Sequence, residues 1–390
     1  MNPKTFCVIP WAHTRFNPNG QIRPCCKLDV TWPGTRSVNE ISNFDQYWNS
    51  DEMRQLRSDL GQGIKNQACQ TCWHDEESGK SSLRKEYNQQ LGKHLDLKSI
   101  NENKDGIAQS LPIALDLNLS NICNFKCVMC VPELSSRIAQ EQQQYQDQYK
   151  SLGFVKIKNN QHRSDWPEQS FFQNFMQEVS PGLRILELKG GEPMLVKNVE
   201  KIIKDVENKS ECSIAITTNG SVDLDDVFLE SLAEFKKIWF FVSVDGIGEI
   251  GEYIRYGSDW QQVENTIKKI SALDNCVFRL STTLQFSSAI SFPAIFDYAQ
   301  VHGYDIEVLN CYKPTYLSLN AISPDHAKIF IKWIDCQLTI YPNNKILKVV
   351  QGYFNHYKYD SALFAQCKAY FEMLDNIRSN RCESLQKLFR

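Results

Sequence analysis

The chain has 390 residues, 42% of them hydrophobic, and its 43 basic and 46 acidic side chains give a net charge of −3. This balance does not favour binding to nucleic acid or to an anionic membrane surface. No apolar run approaches the roughly 18 residues of a membrane span, and the first residues do not resemble a signal peptide. We therefore expect a cytoplasmic protein, with no nucleic-acid or membrane partner, whose 14 cysteines form no disulfides.

The first part of the chain, residues 1–95, is predicted to be a loop-rich domain. It carries several turn signals and five cysteines: Cys7, Cys25, Cys26, Cys69 and Cys72. The last two form a C-x2-C pair, a spacing that commonly binds zinc. Residues 96–110 are polar and are predicted to link this domain to the rest of the chain.

Residues 111–310 alternate short apolar runs with longer amphipathic ones. This alternation predicts an α/β domain of repeated βαβ units with a parallel sheet, and it is compatible with a barrel. The predicted strands are 112–119, 184–189, 212–218, 238–245, 276–285 and 305–310. The predicted helices between them are 196–208, 223–235, 259–273 and 292–302.

Two further segments carry no motif. The long crossover at 131–182 is predicted to form a helix and then a mobile loop near the mouth of the barrel, although a solvated helix face explains 140–150 equally well. Residues 311–390 are predicted to be a mostly helical C-terminal extension.

Three cysteines directly after the first predicted strand indicate a metal cluster. Cys123, Cys127 and Cys130 form a C-x3-C-x2-C pattern. Three thiolates on one short loop can hold three irons of a cubane cluster and leave the fourth iron open to a small molecule. A structural zinc site, in contrast, needs four protein ligands.

The core resembles the radical S-adenosylmethionine (radical SAM) enzymes in three motifs. These are the cysteine pattern, the GGEP segment after the second strand, and the S-x-D sequence at the end of the fourth. The resemblance implies a partial (β/α)6 barrel, a 4Fe–4S cluster on the three cysteines and S-adenosylmethionine on its open iron. It implies these cofactor-binding residues: Gly190, Gly191, Glu192, Pro193, Thr217, Asn219, Ser243, Asp245 and Arg255.

Two of these assignments have plain alternatives. Arg255 matches an arginine that pairs with the cofactor carboxylate in related proteins, but a surface arginine explains it nearly as well. For Asn219, an ordinary Asn-Gly turn with Gly220 is the alternative.

The N-terminal cysteine segment resembles a SPASM or twitch module, the accessory iron–sulfur domain of many radical SAM enzymes. Such modules usually follow the barrel, whereas this segment precedes it. The resemblance implies a second 4Fe–4S cluster on Cys7, Cys25, Cys69 and Cys72, with Cys26 as an alternative to Cys25. A zinc ion on the same four thiolates remains open.

The resemblance also implies an activity. A flavodoxin- or ferredoxin-like protein donates an electron, S-adenosylmethionine is cleaved, and the resulting 5′-deoxyadenosyl radical abstracts hydrogen from a substrate. We expect a peptide or protein that is oxidised, cross-linked or epimerised, and a sugar or other small molecule is the alternative. Cys311 is a candidate hydrogen donor, with a buried structural cysteine as the other interpretation. A non-catalytic zinc or iron–sulfur protein and an electron-transfer protein are the rival classes.

Overall fold

The structure is a computed structural model that describes residues 4–77, 81–102, 105–153 and 165–389. The chain divides into two compact units. Unit 1 is drawn from residues 1–121, 162–216 and 226–238, and unit 2 from residues 122–161, 217–225 and 239–390. The mobile loop expected within the long crossover falls mostly on 154–164, outside the described residues. The expected domain boundaries at 95, 110 and 310 stay predictions.

All six strands predicted for the core are confirmed to within two residues at either end. Within the described ranges the strands are β1 His13–Phe16, β2 Gln21–Arg23, β3 Arg36–Ser37, β4 Ala114–Asn118, β5 Lys126–Cys127, β6 Ile185–Lys189, β7 Ser213–Thr218, β8 Lys237–Ser243, β9 Arg255–Tyr256, β10 Cys276–Leu284 and β11 Asp305–Asn310.

The four predicted helices are also present, as α10, α11, α13 and α14. The α-helices of the described residues are α1 Ile9–Ala12, α2 Asp45–Trp48, α3 Asp51–Gln62, α4 Gln70–Glu77, α5 Leu83–Leu91, α6 Leu97–Glu102, α7 Ser136–Gln144, α8 Gln146–Ser151, α9 Ser170–Val179, α10 Val199–Lys204, α11 Asp226–Ala233, α12 Glu249–Ile254, α13 Trp260–Ser271, α14 Ser288–His302, α15 Pro324–Ile340, α16 Lys345–Phe354, α17 Ser361–Arg378 and α18 Glu383–Gln386.

Unit 1 is built on a sheet in which the strand order is β7-β6-β4-β1-β2-β3. The strands β1, β4, β6 and β7 run parallel, whereas β2 and β3 pair antiparallel at the edge. Every residue of β4 is buried, as expected for a strand covered on both faces. The N-terminal segment thus supplies a strand, β1, to the core sheet, which its sequence did not predict.

Aromatic rings fill the space between β1 and α9 in unit 1. Phe16 of β1 lies 5.2 Å from the Trp166 ring and 5.4 Å from the Phe175 ring of α9. Phe175 also packs on Phe44, with 4.3 Å between the ring centroids. Aromatic pairs at these separations add to the free energy of burial. This cluster therefore stabilises the packing of the N-terminal segment against α9.

Unit 2 contains the strands β10 and β11, which pair in parallel from Arg279↔Asp305 to Leu284↔Asn310. In α13, Val263, Ile267 and Ile270 are buried, and their spacing puts them on one face of the helix. The α/β class with a parallel sheet is therefore confirmed.

Within the described part of the chain, no helix has the length and hydropathy needed to span a bilayer.

We predict that Phe175→Ala destabilises the protein by about 3–5 kcal/mol, because it removes a buried ring and leaves a cavity. Urea denaturation followed by circular dichroism measures this change. Val227→Ala, at a side chain that is 72% exposed, is the control and is expected to change stability by less than about 0.5 kcal/mol. Equal effects of the two variants would contradict the aromatic cluster as a stabilising element.

Candidate functional site

The three core cysteines lie on a loop at residues 123–130, which we name the cysteine loop. Its centre is anchored by Phe125, which is buried and whose carbonyl accepts a hydrogen bond of 2.9 Å from the Ser135 hydroxyl. The Cys130 amide donates to the Cys127 carbonyl at 3.0 Å. Cys127 is buried, while Cys123 and Cys130 are partly exposed.

A short antiparallel ribbon joins the cysteine loop to the residues after α12. Strands β5 and β9 pair with Cys127 opposite Arg255, and the Val128 amide donates to the Ile254 carbonyl at 2.9 Å. The ribbon brings together residues that are 128 positions apart in the sequence. Neither strand was predicted, since a two-residue strand leaves no periodic pattern.

The Arg255 side chain joins two of the predicted site residues. Its Nε donates to an Asp245 carboxylate oxygen at 2.8 Å, and its Nη1 lies 3.8 Å from the Cys127 sulfur. Burial by itself lowers the pKa of Arg255, but Asp245 and Cys127 outweigh it and the net shift is upward. Arg255 therefore keeps its positive charge beside a candidate cluster ligand.

Asp245 is fixed from a second direction. It is 1% exposed, and its other oxygen accepts a 2.7 Å hydrogen bond from the Thr283 amide on β10. A carboxylate held by two donors in the interior has little freedom to turn. Asp245 thus orients Arg255.

Asn219 contacts the other end of the cysteine loop. Its side-chain nitrogen lies 3.9 Å from the Cys123 sulfur and donates to the Asn124 side-chain oxygen at 2.9 Å. Its own oxygen accepts from the Ser221 amide at 2.9 Å. The Asn-Gly turn is therefore present, and it also places a hydrogen-bond donor at a sulfur.

The electrostatic setting of the cysteine loop suits an anionic cluster. Burial raises the pKa of Cys127 to about 11 against the opposing effect of Arg255, and burial followed by Cys127 raises the pKa of Cys130. The metal-free thiols of Cys127 and Cys130 are therefore protonated at neutral pH, and ligation releases protons. Donors aimed at cysteine sulfurs are a known means of tuning iron–sulfur clusters, so these residues fit such a group.

The GGEP segment makes a close backbone crossing with the end of β4 in unit 1. Gly190 has φ +140°, and a Cβ there would lie 2.7 Å from the Ser120 carbonyl oxygen. The Gly191 amide donates to that same oxygen at 2.8 Å. Only glycine fits this crossing without strain.

Glu192 and Pro193 follow as the start of a short helical turn. Both are buried, and the Glu192 carboxylate accepts a 3.1 Å hydrogen bond from the Met194 amide. A buried carboxylate of this kind can receive an ammonium group.

Three other predicted site residues also lie in unit 2. Thr217 is half-buried near the end of β7, and Ser243 is the last residue of β8. Cys311 is buried and its amide donates to the Leu284 carbonyl at 2.9 Å. Burial, and then Asp245, raises the pKa of Cys311 to about 11, which suits a neutral thiol. Its role as hydrogen donor stays a prediction.

The four N-terminal cysteines proposed as ligands line a single cavity in unit 1. They are Cys7, Cys25, Cys69 and Cys72. Burial and then Cys25 and Cys72 raise the pKa of Cys69 to about 12, so the thiols act on one another electrostatically. Cys26, the alternative ligand, has an exposed side chain. In neither unit do the described residues offer three ligand groups arranged around a single metal ion.

Sequence reasoning missed a residue of this cavity, Arg84. Arg84 is 4% exposed, lines the same cavity and pairs with Glu76 at 2.6 Å. It also donates to the Phe6 carbonyl at 2.6 Å, next to Cys7. No motif marks it, because its partners lie eight and 78 residues away.

Family comparisons match both cysteine regions. Residues 117–283 match the model of the radical SAM superfamily, and residues 7–73 match SPASM, an iron–sulfur cluster-binding domain. The predicted order, with the accessory domain before the core, is confirmed. The SPASM match also favours iron–sulfur over the zinc alternative.

Curated relatives match a limited part of the chain. GTP 3′,8-cyclases of Campylobacter jejuni and Clostridium acetobutylicum are 27% identical over 107 residues, which is 27% of this chain. The matched part spans 27% of the length of those relatives.

Solved structures that match this chain include several with bound S-adenosylmethionine. One is anSMEcpe with bound AdoMet, with 18% identity, a TM-score of 0.39, and coverage of 57% of this chain and 60% of that one. Another is SuiB of Streptococcus suis bound to S-adenosylmethionine, with 14% identity, a TM-score of 0.39, and coverage of 73% and 63%.

We predict that Gly190→Ala weakens S-adenosylmethionine binding by at least about fivefold, because positive-φ strain alone costs about 1–3 kcal/mol and the new Cβ meets the Ser120 carbonyl. Equilibrium dialysis with the reconstituted protein measures the affinity. Gly182→Ala is the control, since a Cβ there meets nothing within 4 Å. Unchanged affinity in Gly190→Ala would remove the GGEP segment from the cofactor site.

A second prediction separates the two adjacent cysteines. Cys25→Ser is expected to lower the iron content by about four per chain, the content of one 4Fe–4S cluster, because its thiol lines the four-cysteine cavity. Cys26→Ser is expected to keep the full content. Iron and sulfide analysis after anaerobic reconstitution decides between them, and the reverse pattern would reassign the ligand to Cys26.

Proposed function

Since this chain carries a radical SAM domain at 117–283 and a SPASM domain at 7–73, we propose that it is a two-cluster radical SAM enzyme that abstracts hydrogen from its substrate. One observation carries the proposal. Two nitrogen donors, from Arg255 and Asn219, lie against the sulfurs of Cys127 and Cys123. A loop that only folds the chain has no need of charged and amide donors at its cysteine sulfurs.

The chemistry of the reaction comes from the bound groups. When bound, a 4Fe–4S cluster and S-adenosylmethionine supply one-electron cleavage of the sulfonium to methionine and a 5′-deoxyadenosyl radical. The chain's own residues bind and orient these two groups. Cys123, Cys127 and Cys130 would hold the cluster, and Arg255 would balance its negative charge from a position fixed by Asp245.

The GGEP segment is proposed to hold the methionine part of S-adenosylmethionine. The tight crossing at Gly190 lets the backbone approach a ligand closely. The buried carboxylate of Glu192 is suited to the amino group. Ser243 and Thr217, at the ends of β8 and β7, are proposed to face the rest of the cofactor.

A peptide or protein is the proposed substrate, to be oxidised, cross-linked or epimerised. The SPASM domain supports a peptide substrate, because radical SAM enzymes with an accessory cluster often modify peptides. A small-molecule substrate is the second candidate, and the 27% identity to GTP 3′,8-cyclases favours it. Both substrates use the same cysteine loop.

Two further proposals concern the setting of the enzyme. A flavodoxin- or ferredoxin-like protein is proposed as the electron donor, since the cluster needs an electron of low potential. We place the enzyme in the cytoplasm, where thiols stay reduced. Its cysteines carry no disulfide in the described residues.

We predict that Cys127→Ala abolishes formation of 5′-deoxyadenosine, because one of three cluster ligands is lost. The assay is incubation with dithionite and S-adenosylmethionine, followed by chromatography. Cys336→Ala, at an exposed cysteine on α15, is the matched control and is expected to keep full activity. Undiminished 5′-deoxyadenosine from Cys127→Ala would reject the enzyme assignment.

The same assay tests the substrate class. Candidate peptides encoded near the gene are expected to raise the rate of 5′-deoxyadenosine formation and to change mass. GTP is the comparison, because it is the substrate that the curated relatives' name states. A mass change in GTP, with none in the peptides, would replace the peptide proposal by the small-molecule one.

A further inference from the structure

Helix α17, near the C-terminal end of the chain, contacts the cysteine loop. The helix is capped by Asp360, whose side chain accepts from the amides of Ala362 and Leu363 at 2.9 and 3.1 Å. Residues 370, 374 and 378 recur every four positions and are all buried, so they share one face. The two polar members of that face, Tyr370 and Arg378, reach the loop in different ways.

Tyr370 holds the backbone between the second and third cysteines. Its hydroxyl donates to the Val128 carbonyl at 2.9 Å, and Tyr370 is 3% exposed. The amide of Val128 is already bonded to the Ile254 carbonyl. Val128 is thus held through both its amide and its carbonyl by residues outside the loop, and this leaves the adjacent Cys127 little freedom.

Arg378 acts on the loop through a carboxylate. It makes two hydrogen bonds to Glu141, of 3.0 and 2.8 Å, and both side chains are 2% exposed. The same carboxylate pairs with Lys126, between the first and second cysteines, at 2.8 Å, and accepts from the Tyr149 hydroxyl at 2.9 Å. A buried carboxylate so completely bonded holds its partners in fixed positions.

An aromatic ring contacts both cations of this network. Tyr256 has the Lys126 ammonium 4.7 Å and the Arg378 guanidinium 5.0 Å from its ring centroid. Its hydroxyl donates to the Arg378 carbonyl at 3.3 Å. Tyr256 also pairs with Lys126 across the β5–β9 ribbon, so the ribbon and α17 meet at this ring.

We propose that Tyr370 and Arg378 are positioning residues that hold the cysteine loop in its ligating conformation before any cluster binds. A loop of eight residues with three cysteines otherwise loses conformational entropy when it closes around a metal. Contacts from α17 restrict the loop in advance, which preorganises its sulfurs. The statement that the loop binds a cluster rests on the proposed function. The contacts of Tyr370 and Arg378 do not, because they involve only residues of the chain.

The first test uses the metal-free chain and Tyr370→Phe. The variant keeps the ring and removes the hydroxyl, and with it the hydrogen bonds to the Val128 carbonyl and to Tyr316. Hydrogen–deuterium exchange of the peptide covering 123–130 is expected to speed up by at least about fivefold, the change that about 1 kcal/mol produces. Tyr357→Phe is the matched control, because its hydroxyl bonds the Ile322 carbonyl at 2.7 Å elsewhere in unit 2.

The second test uses the reconstituted protein and Arg378→Gln. Removing a positive charge near the loop disfavours an added electron, so the midpoint potential of the cluster is expected to fall. The signal to follow is the part of the electron paramagnetic resonance spectrum that changes when S-adenosylmethionine is added. Arg378→Lys keeps the charge and is expected to restore much of the potential.

The first test is independent of the proposed function, whereas the second needs a cluster on the loop. Exchange at 123–130 that is unchanged in Tyr370→Phe, or that rises equally throughout unit 2, overturns the proposal even if the enzyme is active. A midpoint potential that is equal in Arg378→Gln, Arg378→Lys and the parent overturns the role of Arg378. Faster exchange confined to the loop supports positioning even if no 5′-deoxyadenosine is ever detected.

Discussion

The salt bridge between Arg255 and Asp245 is the interaction on which the candidate site depends. Thiols packed in an interior tend to stay protonated, since burial disfavours the thiolate that a metal needs. A fixed positive charge beside Cys127 offsets that tendency, but an isolated buried guanidinium is itself unfavourable. Asp245 resolves the conflict, because it balances the charge of Arg255 and holds the guanidinium with its Nη1 facing the Cys127 sulfur.

The accessory site in unit 1 uses the same arrangement with different residues. Arg84 lines the cavity of the four cysteines and is paired with Glu76, as Arg255 is paired with Asp245. Its charge lowers the pKa of Cys69, against the larger effect of burial. Both cysteine groups therefore sit beside an arginine whose charge is balanced by a carboxylate, which is a consistent solution for holding an anionic cluster in an interior.

The elements that the sequence predicted are those with strong local patterns. The strand β11 was predicted with its observed bounds, 305–310, because it is an apolar run between turns. The helix α10 was predicted as 196–208 but spans only Val199–Lys204, since the apolar spacing continues beyond the last helical hydrogen bond. Strand β1 was missed, because four residues in a cysteine-rich segment show no period, and their pairing with β4 needs a partner 101 residues away.

The sequence alone predicted the type of chemistry: three cysteines at C-x3-C-x2-C spacing, a GGEP segment and the N-terminal cysteines indicate the candidate ligands, because ligand type and spacing are local properties. The tertiary structure decided how those ligands are held. Cys25 lines the cavity while its neighbour Cys26 is exposed, and Arg255, Tyr370 and Arg378 meet the loop from far along the chain. Such contacts arise only when distant segments pack together, so no local pattern could specify them.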